Sequence, residues 1–191
     1  MCGGRPGWRD RGRRSLPIVS RPNIVLTGFM GTGKTAVGRA LADRLGHEFV
    51  DTDAVIGERH GPIAAIFAAR GELEFRRFER EVAAELSERT GLVISTGGRT
   101  MIDPVNAEAL ARAGRVLCLT ASVDTILSRV TDADGAAARP MLAGPNLLER
   151  ITELLAERAE GYARFDQIDT EGCTVDEVVD RILGLLDAHL R

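Results

Sequence analysis

This chain has one lysine among 25 basic residues, in the stretch GFMGTGKTAVG from Gly28 to Gly38. A drift toward arginine elsewhere makes Lys34 informative, because it marks a place where a guanidinium does not serve. The spacing Gly28-x-x-x-x-Gly33-Lys34-Thr35 lies between an apolar β-branched run and a helical period, which is the pattern of a phosphate-binding loop. The glycines let the backbone curl so that several N–H groups point at one anion, and the helix N-terminus adds partial positive charge. We expect Gly28, Gly31, Thr32, Gly33, Lys34, Thr35 and Ala36 to form this nucleotide cradle. A compact ammonium on Lys34 can follow the β- and γ-phosphates where a planar fork would not fit. The Thr35 hydroxyl can reach a Mg²⁺ ion.

Other residues carry weaker signals. VDTD places Asp51 and Asp53 after a second short apolar run. Two carboxylates at a strand's carboxyl end can divide the work, one near a metal and one near an acceptor hydroxyl. The simpler alternative is that Asp53 caps the next helix. EFRRFERE carries Arg76, Arg77 and Arg80 among glutamates, and in isolation reads as a solvated face laced with ion pairs. STGG places Gly97 and Gly98 where backbone can approach a ligand closely. Arg139 lies in ARPMLAGP, and Arg158 precedes Tyr162 by four residues.

The elements that must position these residues alternate regularly. NIVLT reads as a short buried strand, and EFVDT, LVIST, RVLCLT and QIDT as four further short strands. Helices are expected from Lys34, through Asp53 to Arg89 with breaks near Gly61-Pro62 and Gly71, and from Asp103-Pro104 with Asp as N-cap. Three more are expected from about Val123, from Asn146 to about Phe165, and over Thr174 to His189. Thr131 to Pro145 has no period and reads as a mobile loop. This alternation implies an α/β fold with a parallel sheet covered on both faces.

At 191 residues the chain is expected to form one domain over 23–191, preceded by a disordered basic tail over 1–22. A net charge of −3 argues against nucleic acid and membrane as partners. Cys2, Cys118 and Cys173 lack metal-ligand spacing, which suits a reduced, cytoplasmic protein, expected to be a monomer.

Taken in order, GFMGTGKT, DTD, Phe75-Arg76-x-x-Glu79, STGG, Arg139-Pro-x-Leu-x-Gly144 and Arg158-x-x-x-Tyr162 resemble the shikimate kinase family, from about Asn23 to His189. The resemblance implies a P-loop three-layer fold like that of the nucleoside monophosphate kinases, with sheet order 2-3-1-4-5 and a lid over about 131–145. It implies phosphorylation of the 3-hydroxyl of shikimate by ATP with Mg²⁺, in aromatic amino-acid biosynthesis. Asp53 would hold the acceptor hydroxyl and take its proton, and Asp51 would reach the metal shell. Arg76 and Arg158 would clamp the acceptor carboxylate, Gly97 and Gly98 would offer backbone to it, and Arg139 would be the lid arginine. Position 99 departs from the pattern, with Arg where a third glycine is usual. That leaves open a different hydroxy acid as acceptor, with gluconate-type polyols disfavoured by the two arginines. A nucleotide-binding regulator without turnover is the alternative of another class. IDTEGCT also lacks the Arg and Asn usual on the adenine side. Arg99 is expected to turn outward to solvent; the alternative is an inward turn that adds a third cation beside Arg76 and Arg158, met in the empty enzyme by a Glu or Asp of the Asp53 to Arg89 segment.

Overall fold

The computed structural model describes residues 21–132 and 146–188. Five strands, β1 (Asn23–Gly28), β2 (Glu48–Asp51), β3 (Leu92–Ser95), β4 (Gly114–Thr120) and β5 (Asp166–Asp169), form one sheet in the order β2-β3-β1-β4-β5. Every pairing is parallel, with Val25 opposite Ile94 and Leu26 opposite Leu117. The central strands β1, β3 and β4 read as apolar runs because both faces are covered, whereas the edge strands β2 and β5 are poorer in apolar residues and more exposed. The side chains still alternate. Val25, Leu92 and Ile94 pack under α2 (Thr52–His60), α3 (Ile63–Ser87) and α4 (Pro104–Ala113). Ile24, Leu26 and Val93 face α1 (Lys34–Leu45) and α7 (Val175–Ala188). A third cluster joins Phe29 and Cys118 to α5 (Val123–Asp132) and α6 (Leu147–Ala163).

The expected fold class and strand order are therefore those observed. Asp103 caps α4 by accepting from Val105 N, with Pro104 in the first turn. α3 is interrupted where the sequence indicates, at Gly71, whose φ of 78° belongs to the left-handed region. The boundaries differ at two informative places. α2 begins at Thr52, one residue earlier than the sequence indicates, and its cap is Asp51, whose Oδ1 accepts from the N–H groups of Asp53 and Ala54. The capping alternative raised for Asp53 thus falls to Asp51. Thr131 and Asp132, at the start of the expected lid, end α5. The rest of that segment, Arg139 included, lies outside the described residues. So does the tail up to residue 20, while Arg21 already joins the body: its carbonyl accepts from Gly91 N at 2.8 Å.

Because all five strands run the same way, their carboxyl ends share one edge. β1 lies between β3 and β4; the chain passes from β1 to β2 on one side and then crosses from β3 past β1 to β4 on the other, the arrangement that opens a crevice at the sheet's carboxyl edge.

Candidate active site

Two adjoining cavities occupy that edge. The first, of about 480 Å³, is lined by Gly31, Gly33, Lys34, Thr35 and Ala36, with Asp51 and Arg129 opposite. Gly33 is the N-cap of α1 at φ 92°, with no side chain between the helix N-terminus and the cavity. Lys34 Nζ folds back to donate to the carbonyls of Gly28 and Phe29, each at 2.9 Å. Gly28 and Thr32 lie beneath the loop rather than on the cavity wall. A Cβ on Gly28 would stand 2.2 Å from Leu119 O, and Thr32 is buried with its hydroxyl on Phe29 O at 2.8 Å. Thr35 Oγ1 donates to Asp51 Oδ2 at 3.1 Å. Among the described residues no group of three or more His, Cys, Asp or Glu could hold a metal ion. One hydroxyl and one carboxylate beside a phosphate cradle suit Mg²⁺, which is bound largely through phosphates and water.

The second cavity, of about 120 Å³, brings together Asp53, Arg76, Gly97, Gly98 and Arg158, all of them indicated by the sequence. Met30, Asp53 and Gly98 line both cavities, so a molecule in one touches a molecule in the other across Asp53. Burial, then the charges of Asp51 and Glu79, push the Asp53 carboxyl up to about 6, against the pull of Lys34 and Arg76. Its Oδ1 is buried without a partner among the described residues. Gly97 is required by close approach, because a Cβ there would stand 2.6 Å from that same Oδ1.

Arg158 is 5% exposed, with its guanidinium over the Phe29 ring and its Nε buried without a partner among the described residues. Among the described residues no carboxylate lies within ion-pair distance of it. A buried guanidinium without a counter-charge is costly unless an anion arrives to meet it. Arg76 stands across the cavity, donating to Glu79 Oε2 at 2.5 Å and to Glu72. The ion-pair lattice read from EFRRFERE is real, but it is split: Arg77 pairs with Glu74 and Glu81 on the outside, while Arg76 faces the cavity.

The family model for shikimate kinase matches residues 30–187. The chain belongs to the shikimate kinase family. The shikimate kinase of Geobacter sulfurreducens is 45% identical over 177 residues, 92% of this chain and 96% of the relative. That of Thermus thermophilus is 44% identical over 175 residues, 90% of this chain and 94% of the relative. The solved shikimate kinase of Acinetobacter baumannii in complex with shikimate superposes with a TM-score of 0.83 at 36% identity, covering 88% of this chain and 94% of that one.

Within this shikimate kinase framework, Glu79 and Tyr162 close two of the sequence motifs but their supporting contacts are not legible there, and Arg129 belongs to no motif. Glu79 is 2% exposed, and its Oε1 accepts from Thr100 Oγ1 at 2.6 Å while Oε2 holds Arg76. Its signal in the sequence is a carboxylate on the helix face that carries Phe75, Phe78 and Val82. Tyr162 donates its hydroxyl to Gly98 O, with Arg158 beside it, and burial pushes that hydroxyl up to about 12. Arg129 braces the phosphate loop, donating to Gly31 O at 3.2 Å and Thr170 O at 3.0 Å.

Proposed function

We propose that the larger cavity takes the phosphates of ATP, the smaller one takes shikimate, and the phosphoryl group crosses between them at Asp53. As a shikimate kinase the chain converts shikimate and ATP to shikimate 3-phosphate and ADP. The observation that carries the assignment of the site is that Arg158, buried without a counter-charge among the described residues, lines the same cavity as Asp53, whose buried Oδ1 has no partner among them. These two groups call for a ligand with a carboxylate at one end and a hydroxyl at the other.

In this reading Arg76 and Arg158 grip the acceptor carboxylate, which suits planar forks with paired donors. The acceptor hydroxyl then rests on Asp53. A carboxylate near 6 is ionised at neutral pH and basic enough to take the hydroxyl proton as the oxygen bonds to the γ-phosphorus. The β,γ-bridging oxygen leaves with ADP. Lys34 swings from the Gly28 and Phe29 carbonyls to the phosphates, and the α1 N-terminus adds its N–H groups. Thr35 and Asp51 would hold Mg²⁺, which supplies neutralisation of charge on the phosphates.

Arg99 gives no reason to prefer another acid, because its guanidinium is held at the rim by Glu72. Lys34, Asp53, Arg76 and Arg158, gathered on the two cavities, disfavour a regulator without turnover. Net charge and free cysteines support a monomer of the reducing cytoplasm, and sedimentation of the pure protein tests the monomer. ADP release against a panel of hydroxy acids tests the acceptor: turnover with shikimate is expected, and turnover only with another acid contradicts it.

A further inference from the structure

Arg99 stands at the rim of the acceptor cavity, 47% exposed, and shares one carboxylate oxygen with Arg76. Glu72 Oε1 accepts from Arg99 Nη1 at 3.1 Å and from Arg76 Nε and Nη2 at 3.2 and 2.9 Å. Arg76 Nη1 is taken by Glu79. The Arg76 fork is therefore occupied by carboxylates before any acceptor arrives. The two carboxylates differ in what they can give up. Glu79 is buried and pinned by Thr100, whereas Glu72 is 47% exposed and can turn to water. Glu72 is the one an incoming carboxylate can displace.

The charges around this cavity make the displacement matter. Arg76, Arg99 and Arg158 stand against Asp53, Glu72 and Glu79. Arg99 adds one positive charge to this set beside Glu72; without it Glu72, displaced from Arg76, is left unpaired beside the anion it must admit.

We propose that Arg99 is a positioning residue that sets acceptor affinity by retaining Glu72 at the rim when the acceptor carboxylate takes the Nε/Nη2 edge of Arg76. This rests on the carboxylate clamp proposed above. Arg99 acts through Glu72, so its effect falls on binding and not on phosphoryl transfer. An exposed pair of this kind has a modest influence.

The test is a double-mutant cycle with Arg99→Gly and Glu72→Gln, read as shikimate KM and kcat at saturating ATP and as shikimate Kd by calorimetry. Arg99 has ordinary backbone angles, φ −117° and ψ −9°, and Arg99→Gln repeats the test with a longer side chain kept in place. Arg99→Gly and Arg99→Gln are expected to raise KM and Kd by about three- to fivefold with kcat within about twofold. Arg99→Lys should restore both to within about twofold. In the Glu72→Gln background, removing Arg99 should change KM by less than about twofold. An unchanged KM in Arg99→Gly, an equal rise in both backgrounds, or a loss confined to kcat would each overturn the proposal. If the wild-type enzyme neither binds nor phosphorylates shikimate, the reading of the acceptor fails instead, which separates the two failures.

Discussion

Replacing Asp53 by asparagine should make the enzyme more stable while it stops working. The carboxyl titrates near 6 in the folded protein against an ordinary 3.8. Above pH 6 the fold must therefore hold an ionised group that its surroundings disfavour. Asp53 contributes stability that is fully present below about pH 4 and is lost as pH rises through 6. The displacement corresponds to roughly 3 kcal/mol at neutral pH and above. Asparagine keeps a desolvated amide there and gives up the attraction of Lys34 and Arg76, so the expected gain is about 1–3 kcal/mol, or about 3–9 °C in Tm for a chain of this size. Thermal melts of ligand-free wild type and Asp53→Asn at pH 8, 6 and 4.5 read the difference directly, and other titrating groups largely cancel. The variant should melt higher at pH 8, with the gap shrinking toward pH 4.5, while kcat falls on the order of 100-fold or more. A variant no more stable at pH 8, or a gap independent of pH, would refute the assignment of a costly ionised base.

Lys34→Ala should lower kcat/KM on the order of 100-fold or more with the melt preserved, and turnover within tenfold of wild type would remove Lys34 from the transition state. Gly97→Ala places a methyl group 2.6 Å from Asp53 Oδ1 and 2.9 Å from Thr100 Oγ1, so both kcat and stability should fall, the latter by about 1–3 kcal/mol in denaturant melts. Arg158→Lys keeps the charge but loses the fork, and should raise shikimate KM about tenfold or more while ATP binding measured without acceptor is unchanged.

Much of this molecule is legible in its sequence for physical reasons. Parallel strands buried on both faces must be short apolar runs, and NIVLTG, LVIS and RVLCLT could be little else. Phosphate binding by backbone demands glycines at fixed spacing, so the loop is visible without any tertiary knowledge. The division of labour between Asp51 and Asp53 is not legible locally, because it turns on whether α2 starts at Thr52 or one residue later. A single residue decides which carboxylate caps the helix and which faces the acceptor cavity. Glu79 is hidden for a different reason. Its neighbours on α3 form a charged lattice, and only the packing of that helix against Thr100 buries it. The Tyr162 contact with Gly98 spans 64 residues and the Arg129 contact with Gly31 spans 98, so neither leaves a local trace. The outward turn expected of Arg99 is only partial, because Glu72, on the other side of the Gly71 break, meets it at the rim.

A shikimate held as proposed, with its carboxylate on Arg76 and Arg158 and its hydroxyl on Asp53 to receive the γ-phosphoryl group of ATP, must leave with its phosphate on one defined oxygen. Incubating the enzyme with MgATP and shikimate, and locating the new phosphate by phosphorus–proton correlation NMR, tests this most directly. Shikimate-dependent ADP formation is expected, with the phosphate on the 3-hydroxyl and kcat/KM falling as pH drops through about 6, where Asp53 takes up its proton. ATP binding without shikimate turnover, or phosphate on a different hydroxyl, would contradict it.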